Sequence, residues 1–297
     1  MTDMVDKIQS FSNLINEGLY EYFGSYHPEY EILFESMRYS VKNGGKRVRP
    51  LLTLLFCDAC GGDVEKALPM AEAVEYIHTY SLIHDDLPCM DDDDFRRGKP
   101  SNHKVYGEAY ALLSGDGLLT AAFELISDGC AQGLYDSATA VKAINTLSRC
   151  AGSRGMIGGQ VIDLQNEENP NATIEVLQLL DSLKTGALIE AACVMGCIVS
   201  GADDEKIENA RCFANKLGLA FQIKDDILDV TSTVEKLGKP IGSDMENGKS
   251  TYVGILGIEK CQALVDELTE EAMKAIDSFP NNNALKEYAE YLAKRDH

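Results

Sequence analysis

Six aspartates fall within ten residues, Asp85, Asp86, Asp91, Asp92, Asp93 and Asp94, and Arg96 and Arg97 follow at once. Carboxylates packed this closely repel one another, and burying them unpaired is costly. Such a run either lies in water or holds a cation. Oxygen-only donors suit Mg²⁺, which keeps part of its water shell and completes the rest with substrate phosphates. Two arginines alongside would grip the phosphates themselves. Taken alone, the run reads first as a solvated acidic loop. An EF-hand is excluded, because counting from Asp85 or Asp91 puts Leu87 or Phe95 at an early ligand position.

A second cluster changes that balance. Asp225-Asp226-Ile227-Leu228-Asp229 closes an otherwise apolar helical pattern, Leu217 to Lys224. Asp225 and Asp229 are four apart and Asp226 and Asp229 three apart, so they share a helix face, with Gln222 one turn earlier. Solubility does not explain paired acids in an apolar helix. Two such helix ends facing each other would line a mouth with carboxylates for several Mg²⁺ ions, with Mn²⁺ an admissible substitute. The candidate metal ligands are Asp85, Asp86, Asp91, Asp225, Asp226 and Asp229.

The basic counterpart is dispersed. Lys46 and Arg49 follow Gly44-Gly45, Lys184-Thr185 interrupts the helical run 173–198, and Lys239 and Lys249 lie in a glycine- and proline-bearing stretch that reads as a loop. Each alone is an ordinary surface base; their proximity to glycines and acid clusters sets them apart. His78 precedes Asp85 by seven residues and shares its helix face, where a core histidine is the plain alternative.

These residues need helices to hold them. Apolar spacing predicts helices over 4–23, 31–42, 51–60 and 64–87, then 105–132, 137–157, 173–200, 204–230, 258–278 and 283–294. Pro88 disturbs the fourth and offers a break that swings Asp91 back toward Asp85. Gly44-Gly45, Gly61-Gly62-Asp63, Glu168 to Asn171, Gly201 to Asp204 and Pro280 to Asn282 are the turns. No period-2 strand stands out. The expectation is one all-α domain over 1–297, a single helical bundle around a deep central cavity.

The net charge of -21 argues against a nucleic-acid partner and against adhesion to anionic membranes. The N-terminus lacks a basic region followed by an apolar one, and no uninterrupted apolar run approaches a membrane span. The expected compartment is the cytoplasm. Nine cysteines are scattered, and Cys57-x-x-Cys60 has no second pair at zinc spacing, so reduced, mostly buried thiols are expected.

At this point the motifs resemble a known family. Asp85-Asp86-Leu87-Pro88-Cys89-Met90-Asp91 looks like the first aspartate-rich motif of the trans-isoprenyl diphosphate synthases, and Asp225 to Asp229 resembles the second. Gly44 to Pro50, Gly158-Gly159-Gln160-Val161-Ile162-Asp163-Leu164, Lys184-Thr185 and the Lys239–Lys249 loop match in family order. The similarity is greatest to the bacterial farnesyl-forming branch. It implies an all-α homodimer that joins isopentenyl diphosphate head to tail to an allylic diphosphate. Asp85, Asp86, Asp91 and Asp225 would hold Mg²⁺. Arg96, Lys184, Thr185, Gln222, Lys239 and Lys249 would hold the allylic diphosphate. Lys46, Arg49, His78 and Arg97 would bind isopentenyl diphosphate. The catalytic set implied is Asp85, Asp86, Asp91, Lys184, Thr185 and Gln222.

Tyr80 and Ser81 precede Asp85 by five and four residues, about 7 Å deeper along a helix. In the family an aromatic residue near this position accompanies short products. The expectation is a C15 product from dimethylallyl and geranyl diphosphates, with Tyr80 as floor; simple core packing of Tyr80 would leave C10 or C20 open. A class I terpene cyclase is disfavoured by the intact second aspartate motif and the Gly44–Pro50 motif. A non-catalytic partner subunit is disfavoured because both acid clusters stand. An acidic metal-binding protein leaves the bases unexplained.

Overall fold

The structure is a computed structural model that describes residues 2–24, 26–167, 172–231 and 250–295. Helix α1 (Thr2–Glu21) leads through a 3₁₀ turn (Pro28–Tyr30) to α2 (Glu31–Lys42), α3 (Val48–Ala59) and α4 (Val64–Asp85). A two-residue ladder, β1 (Phe95–Arg96) with β2 (Lys99–Pro100), precedes α5 (Asn102–Tyr106), α6 (Glu108–Ala131), α7 (Ser137–Ala151) and α8 (Met156–Glu167). Helix α9 (Ile174–Asp181) passes through a π-helical turn (Ser182–Gly186) into α10 (Ala187–Val199). The chain continues with α11 (Asp204–Thr231), α12 (Tyr252–Leu256), α13 (Ile258–Ala275) and α14 (Asn283–Lys294).

The fold is all-α, as the spacing predicts. Helices α3, α4 and α10 are apolar around much of their circumference and therefore sit inside, where such helices are stable. Leu51 to Cys57, Ala71 to Ile77 and Ala191 to Cys197 are buried runs on these three. The amphipathic α1, α2, α7 and α13 pack around them. One apolar cluster spans α1 through α14, and a smaller one joins α9, α11, α12 and α13.

Several boundaries differ from the sequence pattern. The run 105–132 is divided at Gly107, whose φ of +87° breaks the helix. The run 137–157 stops at Ala151, and α8 is a separate helix over the Gly158–Leu164 motif. The short ladder was not visible to period-2 reasoning, since two residues cannot alternate. Arg97 and Gly98, both at positive φ, turn it tightly. Two stretches, Glu108–Ala131 and Ile174–Val199, are long and apolar enough to cross a membrane by length and composition, although charged residues interrupt both. The latter is 67% buried within the bundle, as a core helix is.

Candidate active site

Helix α4 begins on Asp63, whose carboxylate accepts from the Glu65 amide, and ends at Asp85 with Asp86 as C-cap. The chain then turns at Pro88. Met90 N–H donates to Leu87 O at 2.8 Å and Asp91 N–H to Asp85 O at 2.9 Å. Asp91 is thereby folded back over the helix end, although six residues on an unbroken helix would point it elsewhere. Burial pushes the Asp85 carboxyl up to about 6; Lys184 opposes that shift and Asp91 adds to it. Asp86 is 2% exposed and accepts from Arg96 Nε at 2.8 Å, and Arg96 also reaches Asp93 at 2.9 Å. In this state Arg96 is engaged by carboxylates.

Across from Asp85 stands α8. Gln160 donates its side-chain amide to Asp85, and Asp163 accepts from Lys184 Nζ at 2.5 Å. Neither had been singled out as a site residue, although both lie in the glycine-led motif. The glycines have a packing cause: a β-carbon on Gly159 would fall 2.6 Å from Lys184 Cα. Gly186 and Gly218 likewise bring the π turn against α11. The π turn is the physical form of the interruption at Lys184-Thr185, and such turns aim side chains that a regular helix would not.

The second cluster completes the enclosure. Asp181 lies beside Gln222, Tyr252 and Lys184; burial raises its carboxyl to about 6 against the hydrogen bonds of Tyr252 and Gln222. The Tyr252 amide donates to Asp226 at 2.8 Å. Asp225 is exposed at the rim, whereas Asp229 is buried. Arg295, 5% exposed, donates to Asp225 at 2.5 Å and to Phe221 O at 3.2 Å, with its guanidinium 3.6 Å from the Phe221 ring centre. Lys46 sits near both Arg295 and Asp225; burial lowers it first, Arg295 lowers it further and Asp225 opposes.

The remaining side is a basic bay. Arg47, at φ +49°, turns inward and pairs with buried Glu75 at 2.6 Å while donating to Val41 O at 2.6 Å. It is structural, and its neighbours Lys46 and Arg49 face the site. Arg49 is in the first turn of α3, and its buried Nε has no hydrogen-bond partner among the described residues. Burial lowers Arg49 to about 10, with Glu75 opposing and Arg97 adding. Arg97 donates to Gly44 O, and its Cζ lies 2.6 Å from where a Gly45 β-carbon would be. His78 is held neutral by burial and then by Arg49, Arg97, Arg47 and Arg96. Glu75, Asp86 and Asp93 are anions that face this group, fewer than the cations Lys46, Arg47, Arg49, Arg96 and Arg97, so the bay carries excess positive charge. An orphan guanidinium nitrogen and a neutral imidazole suit a phosphate-type ligand.

The contacts close a ring: Asp85 and Asp86, Arg96 and Arg97, Gly44-Gly45, Lys46, Arg295, Asp225 and Asp226, Tyr252, Asp181 with Gln222, Lys184, Asp163, Gln160, and Asp85 again. Thr185 is half-buried on the π turn. Tyr80 is buried within α4, its ring 5.6 Å from that of His84, and Ser81 donates to His78 O. Lys239 and Lys249 lie outside the described residues. Among those described, Asp92, Asp94 and His103 form a group close enough to share a metal, separate from the six ligands expected.

A polyprenyl synthetase family model matches residues 30–292. The chain is 45% identical to the farnesyl diphosphate synthase of Micrococcus luteus, covering 97% of both chains. It is 46% identical to a chloroplastic geranylgeranyl pyrophosphate synthase of Capsicum annuum over 90% of this chain and 73% of that one. An FPP/GFPP synthase structure from Zymomonas mobilis superposes with TM-score 0.87 at 33% identity, covering 98% of this chain and 99% of that one. A geranylgeranyl pyrophosphate synthetase from Pyrococcus horikoshii gives TM-score 0.89 at 30% identity and 99% coverage of both.

Proposed function

Since the chain belongs to the polyprenyl synthetase family, we propose that it joins isopentenyl diphosphate to dimethylallyl and then geranyl diphosphate, releasing farnesyl diphosphate. The observation that carries the C15 product is Tyr80, buried on α4 five residues below Asp85. A phenol ring there occupies the depth that a longer chain would need.

Oxygen donors converge where Asp91 folds over Asp85, and their mutual repulsion fits a divalent cation. Bound Mg²⁺ would neutralise the departing diphosphate, and Asp85, Asp86, Asp91 and Asp225 are the residues that would hold it. Lys184 leaves Asp163 to meet the allylic diphosphate, and Arg96 shifts from Asp93 to share it. Thr185 and Gln222 turn oxygen dipoles toward the allylic cation left when the C–O bond breaks. Arg49, Lys46, Arg97 and neutral His78 hold isopentenyl diphosphate so that its double bond attacks that cation. Loss of one proton, to the released diphosphate, restores the alkene. The buried walls keep water from the cation.

The working unit is a homodimer in the cytoplasm. Exposed Leu112 and Leu113 on α6 and Val141 on α7 are apolar residues that a second copy would cover.

A C20 product is the second reading, favoured by the chloroplastic geranylgeranyl synthases at 46% and 47% identity. Purified protein with isopentenyl diphosphate, dimethylallyl diphosphate and Mg²⁺ decides between them by product analysis. A dominant C15 diphosphate is expected, lengthening in Tyr80→Ala. A dominant C20 product, or no lengthening in the variant, overturns the reading.

A further inference from the structure

Two pairs of cysteines, far from each other in the chain, meet on two of the three inner helices. Cys57 and Cys60 are at the end of α3, and Cys193 and Cys197 are on α10. Helices α3 and α10 run side by side in the same direction: Gly196 lies under Thr53, Phe56 and Cys57, and Gly62 lies against Ser200. A β-carbon on Gly196 would fall 2.8 Å from Phe56 Cβ and 3.0 Å from Cys57 N, so the two backbones approach closely there. The Ser200 hydroxyl donates to Cys57 O at 3.3 Å and ties the same ends. In this setting the sulfurs of Cys60 and Cys197, 137 positions apart in sequence, are 3.8 Å from each other.

We propose that Cys60 and Cys197 are a redox modification site, a dithiol that a hydroperoxide converts to a disulfide linking α3 to α10. Closing 3.8 Å to the roughly 2.05 Å of a disulfide requires side-chain rotation on helices already in contact. Cys60 is the sulfur that meets the oxidant. It is half-buried, whereas Cys57, Cys193 and Cys197 are buried, and Cys57 is turned to Asp63 O at 3.4 Å. The Cys60 thiol is pulled down first by its hydrogen bond with Cys197; burial opposes this, the Lys206 ammonium adds to it, and Asp203, which pairs with Lys206 at 3.1 Å, opposes it; burial pushes Cys57 up to about 11. The Cys60 thiolate attacks one oxygen of hydrogen peroxide and the O–O bond breaks, leaving a sulfenic acid and a hydroxide that takes up the proton the Cys60 thiol had released, the first water. The Cys197 sulfur then attacks the Cys60 sulfur, the S–O bond breaks, and hydroxide leaves with the Cys197 proton as the second water. With hydrogen peroxide, two thiols and one peroxide give one disulfide and two waters.

The bond would tie the far ends of the two helices whose near ends carry the Lys46–Arg49 turn and the Lys184-Thr185 turn. It closes a loop long enough to restrict the unfolded chain strongly. The test is to treat the purified full chain with hydrogen peroxide, alkylate the remaining thiols, digest without reduction and map the peptides by mass. A Cys60–Cys197 cross-linked peptide, lost on adding dithiothreitol, is the expected result. The oxidised protein should also melt roughly 5 °C higher. Cys60→Ser and Cys197→Ala should abolish both changes and leave the turnover of the reduced enzyme unchanged. Mapping of the unmutated chain stands without either variant. The proposal is overturned if Cys197 is recovered alkylated after peroxide while Cys60 is free, over-oxidised or paired elsewhere.

Discussion

The Asp91 amide donates to the Asp85 carbonyl at 2.9 Å, and this one hydrogen bond folds the acidic loop back into half of the proposed ligand set. It takes the place of the next helical bond at the end of α4 and brings a third carboxylate over the first two. Asp85→Asn keeps the shape and the contact with Gln160 but removes the charge. The expected result is a loss of about 10²–10³-fold in kcat with an unchanged circular dichroism spectrum. Near-native turnover would remove Asp85 from the proposed metal set.

Gly159 holds α8 against the π turn. In Gly159→Ala the added methyl meets the Lys184 backbone, which cannot give way as a flexible side chain would. Lys184 and Thr185 then move off target, and a displacement near 1 Å costs on the order of 10²-fold in rate. Steady-state kinetics should show a fall in kcat much larger than the change in melting temperature.

Glu75 is the buried counter-charge of Arg47 at 2.6 Å. Glu75→Gln leaves that guanidinium without an anion in the core. A loss of about 3–5 kcal/mol is expected, read as an earlier urea midpoint with unchanged slope. An unchanged midpoint would show the negative charge of Glu75 to be dispensable for stability.

Arg49 offers an unpartnered buried nitrogen to the ligand. Arg49→Lys keeps the charge but loses the fork. The Michaelis constant for isopentenyl diphosphate should rise about tenfold, a loss near 1.4 kcal/mol, while that for the allylic substrate stays within about twofold.

Glu72 lies buried against Gly18 of α1, and its carboxyl is raised to about 8 by burial and then by Glu21. The folded state holds this proton more tightly than the unfolded chain does. Stability from it is therefore full below the ordinary carboxylate range, near pH 4.5, and is lost as pH climbs through about 8. The melting temperature should fall between pH 6 and pH 9, and Glu72→Gln should flatten that fall. A parallel slope in the variant would assign the pH dependence to other groups.

The first acid cluster alone reads as a solvated loop; the pair was legible because Asp225, Asp226 and Asp229 end an otherwise apolar helix, which solubility does not explain. The bases Lys46, Arg49 and Arg97 were legible by their place beside glycines. Arg47 stands between two of them and turned out to be a strut for Glu75, a choice that depends on a positive φ and on a carboxylate 28 positions later. Gln160 and Asp163 were inside a quoted motif but gained their roles only when α8 lay across from Asp85. The Lys184-Thr185 interruption was visible as a break; that it is a π turn follows from packing at Gly159 and Gly218.

By itself the sequence determined which residues carry charge, which helix faces are apolar and where the chain must turn, since these depend on residue type and near neighbours. Only the tertiary structure decided who meets whom. The ring from Asp85 through Lys184 and Asp225 to Arg97 joins residues from opposite ends of the chain. So do the buried pair Arg47 and Glu75, the seat of Arg295 on Phe221 and the contact of Cys60 with Cys197. Those distances are set by how α3, α4, α10 and α11 share one close-packed interior, and no local pattern contains that information.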